Sequence, residues 1–490
     1  MSAPGALHIA LLHMKIQRGA LERNREELVG LAEQAADAGA QLIVAPELAV
    51  SGYLTECRAK VKPSVEGLGG ITLSRLSQVA KERRVFLCAG FAEHDLQTDV
   101  YFNSAVAFGP GGAVVALHRK VLSERRWASP GAVTNRSRFD TPWGRIGLLI
   151  CADVYCGLLP RTQALHGVDL LLVPSNWPDC GLDPRELWRA RALENGFGIV
   201  ACNRTGCEPS LDFSPAHSYA VTGDGTVLED FATPESGICH VHYPLQDGKL
   251  AGAVRDAILA RRSPEAYAAL SLSVNGLASF SGLWNLPEAG QIEVKCIVPA
   301  QSVLATANGC ELPRLLIAPP GGRALDQEQV SALTRDGQTA VVTCLHAKES
   351  GGPVYGLSTK DAVVALPPNR PMAIADFGPA RIALAQPEAL RQPEMSVALS
   401  KQGCDLVVTG TAGSFDRNDL LVLGVKSLDR LAVVMVSSNG ASICIPPTGH
   451  ERWKEETIEN AGECCCRIDT ALLRRKYFED RLDLPALLQQ

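Results

Sequence analysis

Short apolar runs recur along the first half of the chain. They are HIALLHM at 8–14, LIVAP at 42–46, VFLCAGFAE at 85–93, YFNSAVAFG at 101–109, AVVALHRK at 113–120, GRIGLLI at 144–150, DLLLVPS at 169–175 and FGIVACN at 197–203. Apolar runs of this length, bounded by Gly, Pro and charged residues, predict strands buried on both faces. The intervening segments carry the longer helical period. Leu21, Leu28, Leu31 and Ala35 fall on one face of 20–38, with charges between them, which predicts an amphipathic helix. Residues 71–84 form a second helical pattern with basic residues in its last turn, which suits a helix carboxyl end. Residues 158–167 make a third. Asp183 and Pro184 open DPRELWRARALENG as a capped helix. Residues 217–229 read as a hairpin around GDG. Strands alternating with helices indicate an α/β layered fold.

The pattern lapses and then restarts. Ser, Gly, Asn and Pro are frequent over 265–290, so a linker at 269–289 separates a first domain, 1–268, from a second, 290–490. PARIALAQ at 379–386 echoes WGRIGLLI at 143–150, and Arg381, Asp405 and Asn439 repeat Arg145, Asp169 and Asn203 at one constant spacing. DAVVAL at 361–366 repeats GAVVAL at 112–117, and LLIAPP at 315–320 repeats LIVAPE at 42–47. The offsets shrink along the second half as loop deletions require. A tandem duplication accounts for all of this.

Composition narrows the class. A chain of 490 residues holds two or more sizeable cores. Net charge is −6 with both signs interspersed, so nothing in it marks a nucleic-acid or membrane surface. No apolar run approaches the roughly 18 residues that span a bilayer. The amino terminus lacks a basic region before its apolar stretch. A cytoplasmic location is the expectation. Of the 16 cysteines, Cys88, Cys202, Cys296, Cys344 and Cys444 lie inside apolar strands and read as reduced, buried thiols. The run Cys464-Cys465-Cys466 lacks a partner CxxC or a His pair at zinc spacing, so core packing outweighs a metal or redox site there.

Three strand ends carry reactive groups. Cys151 follows GRIGLLI, Glu47 follows LIVAP, and Lys120 follows AVVALHR. The carboxyl ends of strands in α/β sheets are where ligands bind. A lone cysteine in such a place is usually core, a lone glutamate usually solvated and a lone lysine usually on the surface. All three occur together in the first half. All three are absent from the second, where Glu47 maps to Pro320, Lys120 to Asn369 and Cys151 to Pro387. That coincidence reverses the odds. A thiolate attacks a carbonyl or nitrile carbon, a carboxylate takes and returns the proton, and an ammonium steadies the developing oxyanion. These groups suffice without a metal or cofactor.

The residues now resemble a known family. APELAVSGY, YFNSAVAFGPGGAVVALHRKVL, GRIGLLICADVYCGLLPR, LLLVPSNWP and RARALENGFGIVACNRTG occur in the order of the motifs of the carbon–nitrogen hydrolase, or nitrilase, superfamily. The resemblance covers residues 6–265. It implies a four-layer αββα sandwich, with two such domains paired. The second copy would then be a pseudo-twofold partner within one chain, with further homo-oligomerisation left open. It implies Glu47 as general base, Lys120 as oxyanion stabiliser, Cys151 as nucleophile and Glu124 as a second glutamate that positions substrate and lysine. The backbone N–H of Ala152 would complete the oxyanion hole.

Cys-Ala-Asp after the nucleophile resembles amidase and carbamoylase members, and the Cys-Trp-Glu or Cys-Gly-Glu run of true nitrilases is absent. The favoured activity is hydrolysis of a linear, non-peptide amide or an N-carbamoyl compound. A nitrilase, an acyltransferase and a glutamine-hydrolysing ammonia supplier are the alternatives, and a non-catalytic binding protein is the least favoured. Tyr53, Trp127, Tyr155, Asn176 and Trp177 are expected in the pocket, against plain core packing for each aromatic. Arg161 either binds a substrate carboxylate or pairs with Asp153 or caps the following helix. His217, beside the expected hairpin, reads as structural.

Overall fold

The structure is a computed structural model. It describes residues 5–178, 181–209, 211–275, 277, 280–298, 311–320, 325–346 and 353–489. The chain divides into two compact units. One is Met1–Ala260 with Arg481–Leu487, and the other is Arg261–Asp480 with Leu488–Gln490.

The first unit contains β1 (Ala6–His13), β2 (Leu42–Val44), β3 (Phe86–Asp95), β4 (Val100–Phe108), β5 (Val114–Arg119), β6 (Arg138–Thr141), β7 (Gly144–Leu148), β8 (Leu170–Pro174) and β9 (Gly198–Cys202). A small hairpin, β10 (Cys207–Glu208) and β11 (Leu211–Asp212), precedes β12 (Ser218–Val221), β13 (Val227–Phe231) and β14 (Gly237–Pro244). Two six-stranded sheets result, in the orders β14-β1-β2-β3-β4-β5 and β13-β12-β9-β8-β7-β6. Their inner faces meet: the rings of Phe86 and Phe139 stack with centroids 5.7 Å apart, and His13 meets Phe231 edge-on at 5.6 Å. Helices Leu21–Asp37 and Ile71–Arg83 cover the outer face of the first sheet, burying Leu28, Ala32, Ala35, Leu73, Leu76 and Val79 against Ile43 and Leu87. Helices Leu158–Leu165 and Pro184–Asn195 accompany the second sheet. This is an α/β fold in four layers. Asp183 caps its helix as the sequence predicts, accepting from the Arg185 N–H at 2.9 Å.

The second unit contains β15 (Gln291–Val298), β16 (Arg314–Ile317), β17 (Thr339–His346), β18 (Pro353–Ser358), β19 (Val363–Leu366), β20 (Met372–Phe377), β21 (Ala380–Ala385), β22 (Leu406–Thr411), β23 (Ala432–Ser437), β24 (Gly440–Ile445), β25 (Lys454–Glu459) and β26 (Gly462–Asp469). Its sheets run β26-β15-β16-β17-β18-β19 and β25-β24-β23-β22-β21-β20. Strand for strand, order and direction match the first unit. The parallel neighbours β1-β2-β3 and β7-β8-β9 correspond to β15-β16-β17 and β21-β22-β23. One polar network is also repeated atom for atom. The Arg145 N–H donates to Asp169 at 2.9 Å and its guanidinium to Asp140 at 2.8 Å. The Arg381 N–H donates to Asp405 at 2.9 Å and its guanidinium to Asp376 at 2.8 Å.

The differences lie in the coverings. The connection β1–β2 spans residues 14–41 and carries a 17-residue helix, whereas the connection β15–β16 spans only residues 299–313. The expected linker is also not a free connector. Lys401 Nζ donates to the carbonyls of Leu270 and Leu272 at 2.9 and 2.8 Å, and Trp284 Nε1 donates to the Lys401 carbonyl at 2.7 Å. The segment is therefore fastened to the second unit. No helix among the described residues is long and apolar enough to cross a membrane.

Asp405 is fully buried and bonds the Arg474 guanidinium at 2.9 Å, while its counterpart Asp169 keeps 15% exposure beside Arg255. Removing one partner of a buried pair strands the other charge. Asp405→Ala is expected to destabilise the second unit by about 3–5 kcal/mol, and Asp169→Ala to cost the first unit less. Urea unfolding followed by probes in each unit checks this. Equal costs would show that burial does not set the difference.

Candidate active site

Five strands of the first unit deliver the candidate groups. Glu47 lies three residues beyond β2, Lys120 directly follows β5, and Cys151 lies three residues beyond β7. Asn103 comes from within β4, and Asn176 lies two residues beyond β8. The first sheet thus supplies Glu47, Asn103 and Lys120, and the second supplies Cys151 and Asn176. The turn after β2 can sit this close to β3 because residue 90 is glycine. A Cβ there would lie 2.5 Å from the Glu47 Cα.

Glu47 is fully buried. Its Oε1 accepts from Lys120 Nζ at 2.6 Å and from Asn103 Nδ2 at 2.7 Å. Its Oε2 accepts from the Asn176 backbone N–H at 2.8 Å, and its carbonyl accepts from Asn176 Nδ2 at 2.9 Å. The carboxylate is thereby fixed from three sides. Lys120 is 2% exposed. Burial alone would pull its ammonium down, but the negative charge of Glu47 outweighs that and holds it well above the ordinary value.

Cys151 opens a short 3-10 turn, Cys151–Tyr155, with φ +44. Leu48, next to Glu47, has φ +48. Such values are uncommon for non-glycine residues and concentrate where surrounding structure enforces them. Burial first, and then the negative charge of Glu47, push the Cys151 thiol well above its ordinary range; Lys120 and the Asn176 N–H pull the other way. The balance of these influences favours the thiol form of Cys151.

The remaining candidates divide. Tyr53 OH donates to Glu124 Oε1 at 2.5 Å. Burial, with the carboxylates of Glu47 and Glu124, raises that phenol against the pull of Lys120, so Tyr53 and Glu124 face the same centre. Tyr155 stacks on Trp177 with centroids 4.9 Å apart. Trp127 is buried among Leu48, Leu54, Val61 and Ala92, and its Nε1 donates to the Leu54 carbonyl at 3.0 Å. Its place is in packing under the loop. Ala152 follows Cys151 within the same 3-10 turn. Arg161 corrects the expectation of a substrate-facing cation. It is fully buried, and donates to Asn195 Oδ1 at 2.9 Å and to the Glu194 carbonyl at 2.7 Å. It ties helix Leu158–Leu165 to helix Pro184–Asn195. His217 bonds Asp230 at 2.6 Å.

Two residues went unmarked in the sequence. Asn103 is a polar residue in an otherwise apolar strand, which was its only signal. Asp153 is fully buried. Its Oδ1 accepts the N–H groups of Val121 and Leu122, both at 2.9 Å, and its Oδ2 accepts that of Ile150 at 3.1 Å and lies 2.9 Å from His118 Nε2. One carboxylate thus joins the backbone after Lys120 to the backbone before Cys151.

Residues 8–251 match the carbon–nitrogen hydrolase family model. A nitrilase of Pyrococcus abyssi is 34% identical over 209 residues, 42% of this chain and 78% of that protein. This chain belongs to the carbon–nitrogen hydrolase family. It is a carbon–nitrogen hydrolase enzyme. An omega-amidase NIT2 of Xenopus tropicalis is 29% identical over 222 residues, covering 42% of this chain and 78% of that one. The crystal structure of an amidase from Nesterenkonia sp. aligns with 53% of this chain and 98% of its own, at 24% identity and a TM-score of 0.44.

Two outcomes test the geometry of this hydrolase's site. Glu47→Gln removes the negative neighbour that raises the Cys151 thiol and keeps the Lys120 cation, so the thiol pKa falls. Alkylation of Cys151 by iodoacetamide at pH 8 is expected to quicken while turnover drops by about 10²–10⁴. Slower alkylation would contradict the electrostatic role. Asp153→Asn keeps the shape but cannot accept from all its donors, and is expected to lower kcat about tenfold or more with little change in KM. An unchanged kcat would remove Asp153 from any positioning role.

Proposed function

We propose that the first unit hydrolyses a small linear amide or an N-carbamoyl compound through a thioester on Cys151. The observation that carries this is the convergence of Glu47, Lys120 and Cys151 in one buried cluster, joined by hydrogen bonds and mutual electrostatics. As Cys151 Sγ attacks the carbonyl carbon, its proton passes to Glu47. The carbonyl oxygen becomes an oxyanion beside the Lys120 ammonium and the Ala152 N–H. Glu47 then protonates the leaving nitrogen, the C–N bond breaks, and ammonia or an amine departs. Water next gives its proton to Glu47 and attacks the thioester carbon, which releases the acid and restores the thiol. Glu124, accepting from Tyr53, would position substrate and lysine. Tyr155 and Trp177 would form an aromatic wall.

The amide preference draws support from Cys-Ala-Asp after the nucleophile and from the omega-amidases among the relatives. The second unit, with Pro320, Asn369 and Pro387 in place of the three groups, would be a silent duplicate that takes the place of a second subunit. Proline fixes φ near −65°, so position 387 cannot adopt the backbone that Cys151 adopts.

A panel of short linear amides, N-carbamoyl amino acids and nitriles, assayed for ammonia without an added acceptor, tests the proposal. The amides or carbamoyl compounds are expected to exceed nitriles by about tenfold or more, with an acyl adduct on Cys151 visible by intact mass. Faster nitrile turnover would replace amidase by nitrilase. Dependence on an amine acceptor would make the enzyme a transferase. Substantial turnover by Cys151→Ala would refute the nucleophile.

A further inference from the structure

The second unit carries a cleft of about 490 Å³ between helix Gln327–Thr334 and the β18–β19 turn. In the first unit the same place is shut. There the turn is glycine-rich, Ser77 Oγ donates to the Gly112 carbonyl at 2.6 Å, and a Cβ at Gly112 would lie 2.9 Å from the Ser77 carbonyl oxygen. A helix of 13 residues, Ile71–Arg83, seats on that turn. In the second unit the repeat replaces Gly109-Pro110-Gly111-Gly112 by Ser358-Thr359-Lys360-Asp361, and the helix has 8 residues. Side chains on the turn and a shorter helix keep the two apart.

The opened space is polarised. At its inner end Leu325 bridges Leu345, and these two with Val330 make an apolar floor that is less than 9% exposed. At the turn end Ser358 is fully buried and lines the cleft, and its Oγ has no hydrogen-bond partner among the described residues. A buried hydroxyl left so costs free energy unless something occupies it. Lys360 and Arg335 stand at the same end. Lys360 Cδ reaches within 3.7 Å of where a Gly337 Cβ would be, just past the helix end. Neither cation makes an ion pair with a described residue, and Asp361 is the one carboxylate among the described lining residues. Ser358 pairs with Val341 on β17, four residues from Leu345, so the polar and apolar ends are about 13 Å apart.

We propose that this cleft binds a medium-chain aliphatic carboxylate of about eight carbons. Its head accepts from Ser358 and faces Lys360 and Arg335, and its chain lies along Val330 toward Leu345. The volume falls within the usual range for small-molecule sites, and two cations against one carboxylate select an anionic head. The site is separate from the Glu47, Lys120 and Cys151 chemistry and does not depend on that assignment.

Titration calorimetry of the full-length protein with octanoate, octanol and octylamine tests this. Octanoate is expected to bind saturably in the submillimolar range and at least about tenfold more tightly than the other two. Lys360→Met and Ser358→Ala are each expected to weaken it several-fold while circular dichroism stays unchanged. Val330→Trp, which fills the floor, should abolish it. No saturable binding up to millimolar octanoate, equal binding of octanol or octylamine, or full affinity in Lys360→Met and Ser358→Ala would each overturn the proposal.

Discussion

The buried ion pair between Glu47 and Lys120 is the constraint on which the site depends. Two charges removed from water lose solvation worth several kcal/mol each, and mutual attraction alone seldom restores it. Here Asn103 and the Asn176 N–H add donors to the carboxylate at 2.7 and 2.8 Å. Those donors come from both sheets, so forming the pair requires the first unit's sandwich to be in register. The same pair acts on the Cys151 thiol. Burial and the Glu47 carboxylate raise that thiol, and the Lys120 ammonium opposes them.

The left-handed backbone at Cys151 and Leu48 follows from that arrangement. Turning a thiol out from the end of a buried strand into the space beneath Glu47 requires a sharp reversal, and the reversal costs conformational energy. Asp153 opposes it by holding backbone N–H groups on both sides, at Val121, Leu122 and Ile150. Remove the chemistry and the strain has no purpose. The second unit shows this outcome: the strand order and the Arg381–Asp376–Asp405 network persist, while proline occupies the elbow position. Packing and buried hydrogen bonds hold the same strand order in a unit without the three reactive groups at the matching positions.

Much of the architecture was legible in the sequence because burial on two faces leaves continuous apolar runs. The strands at Gly144–Leu148, Leu170–Pro174 and Gly198–Cys202 and the helix capped by Asp183 fall where periodicity and capping chemistry place them. Glu47, Lys120 and Cys151 were legible for a related reason: a reactive side chain straight after such a run stands out against it. Asn103 and Asp153 were not. Their importance lies in partners 56 and 32 residues away, and pairwise distance has no one-dimensional signature. Arg161 shows the reverse error. An arginine just after a nucleophile motif invites a substrate role, but only folding reveals that Asn195 and the Glu194 carbonyl enclose it.

By itself, then, the sequence determined which segments are strands and helices, that the pattern occurs twice, and which half retains a thiol, a base and a cation. These are local properties, written in hydrophobic period and residue type. The tertiary structure alone decided which carboxylate meets which ammonium, which aromatic residues pack and which face the centre, and where the shortened helix of the second unit leaves a cleft. Those outcomes depend on how strands distant in the chain come into register, and on a Cβ fitting or failing to fit within a few ångströms of a neighbouring backbone.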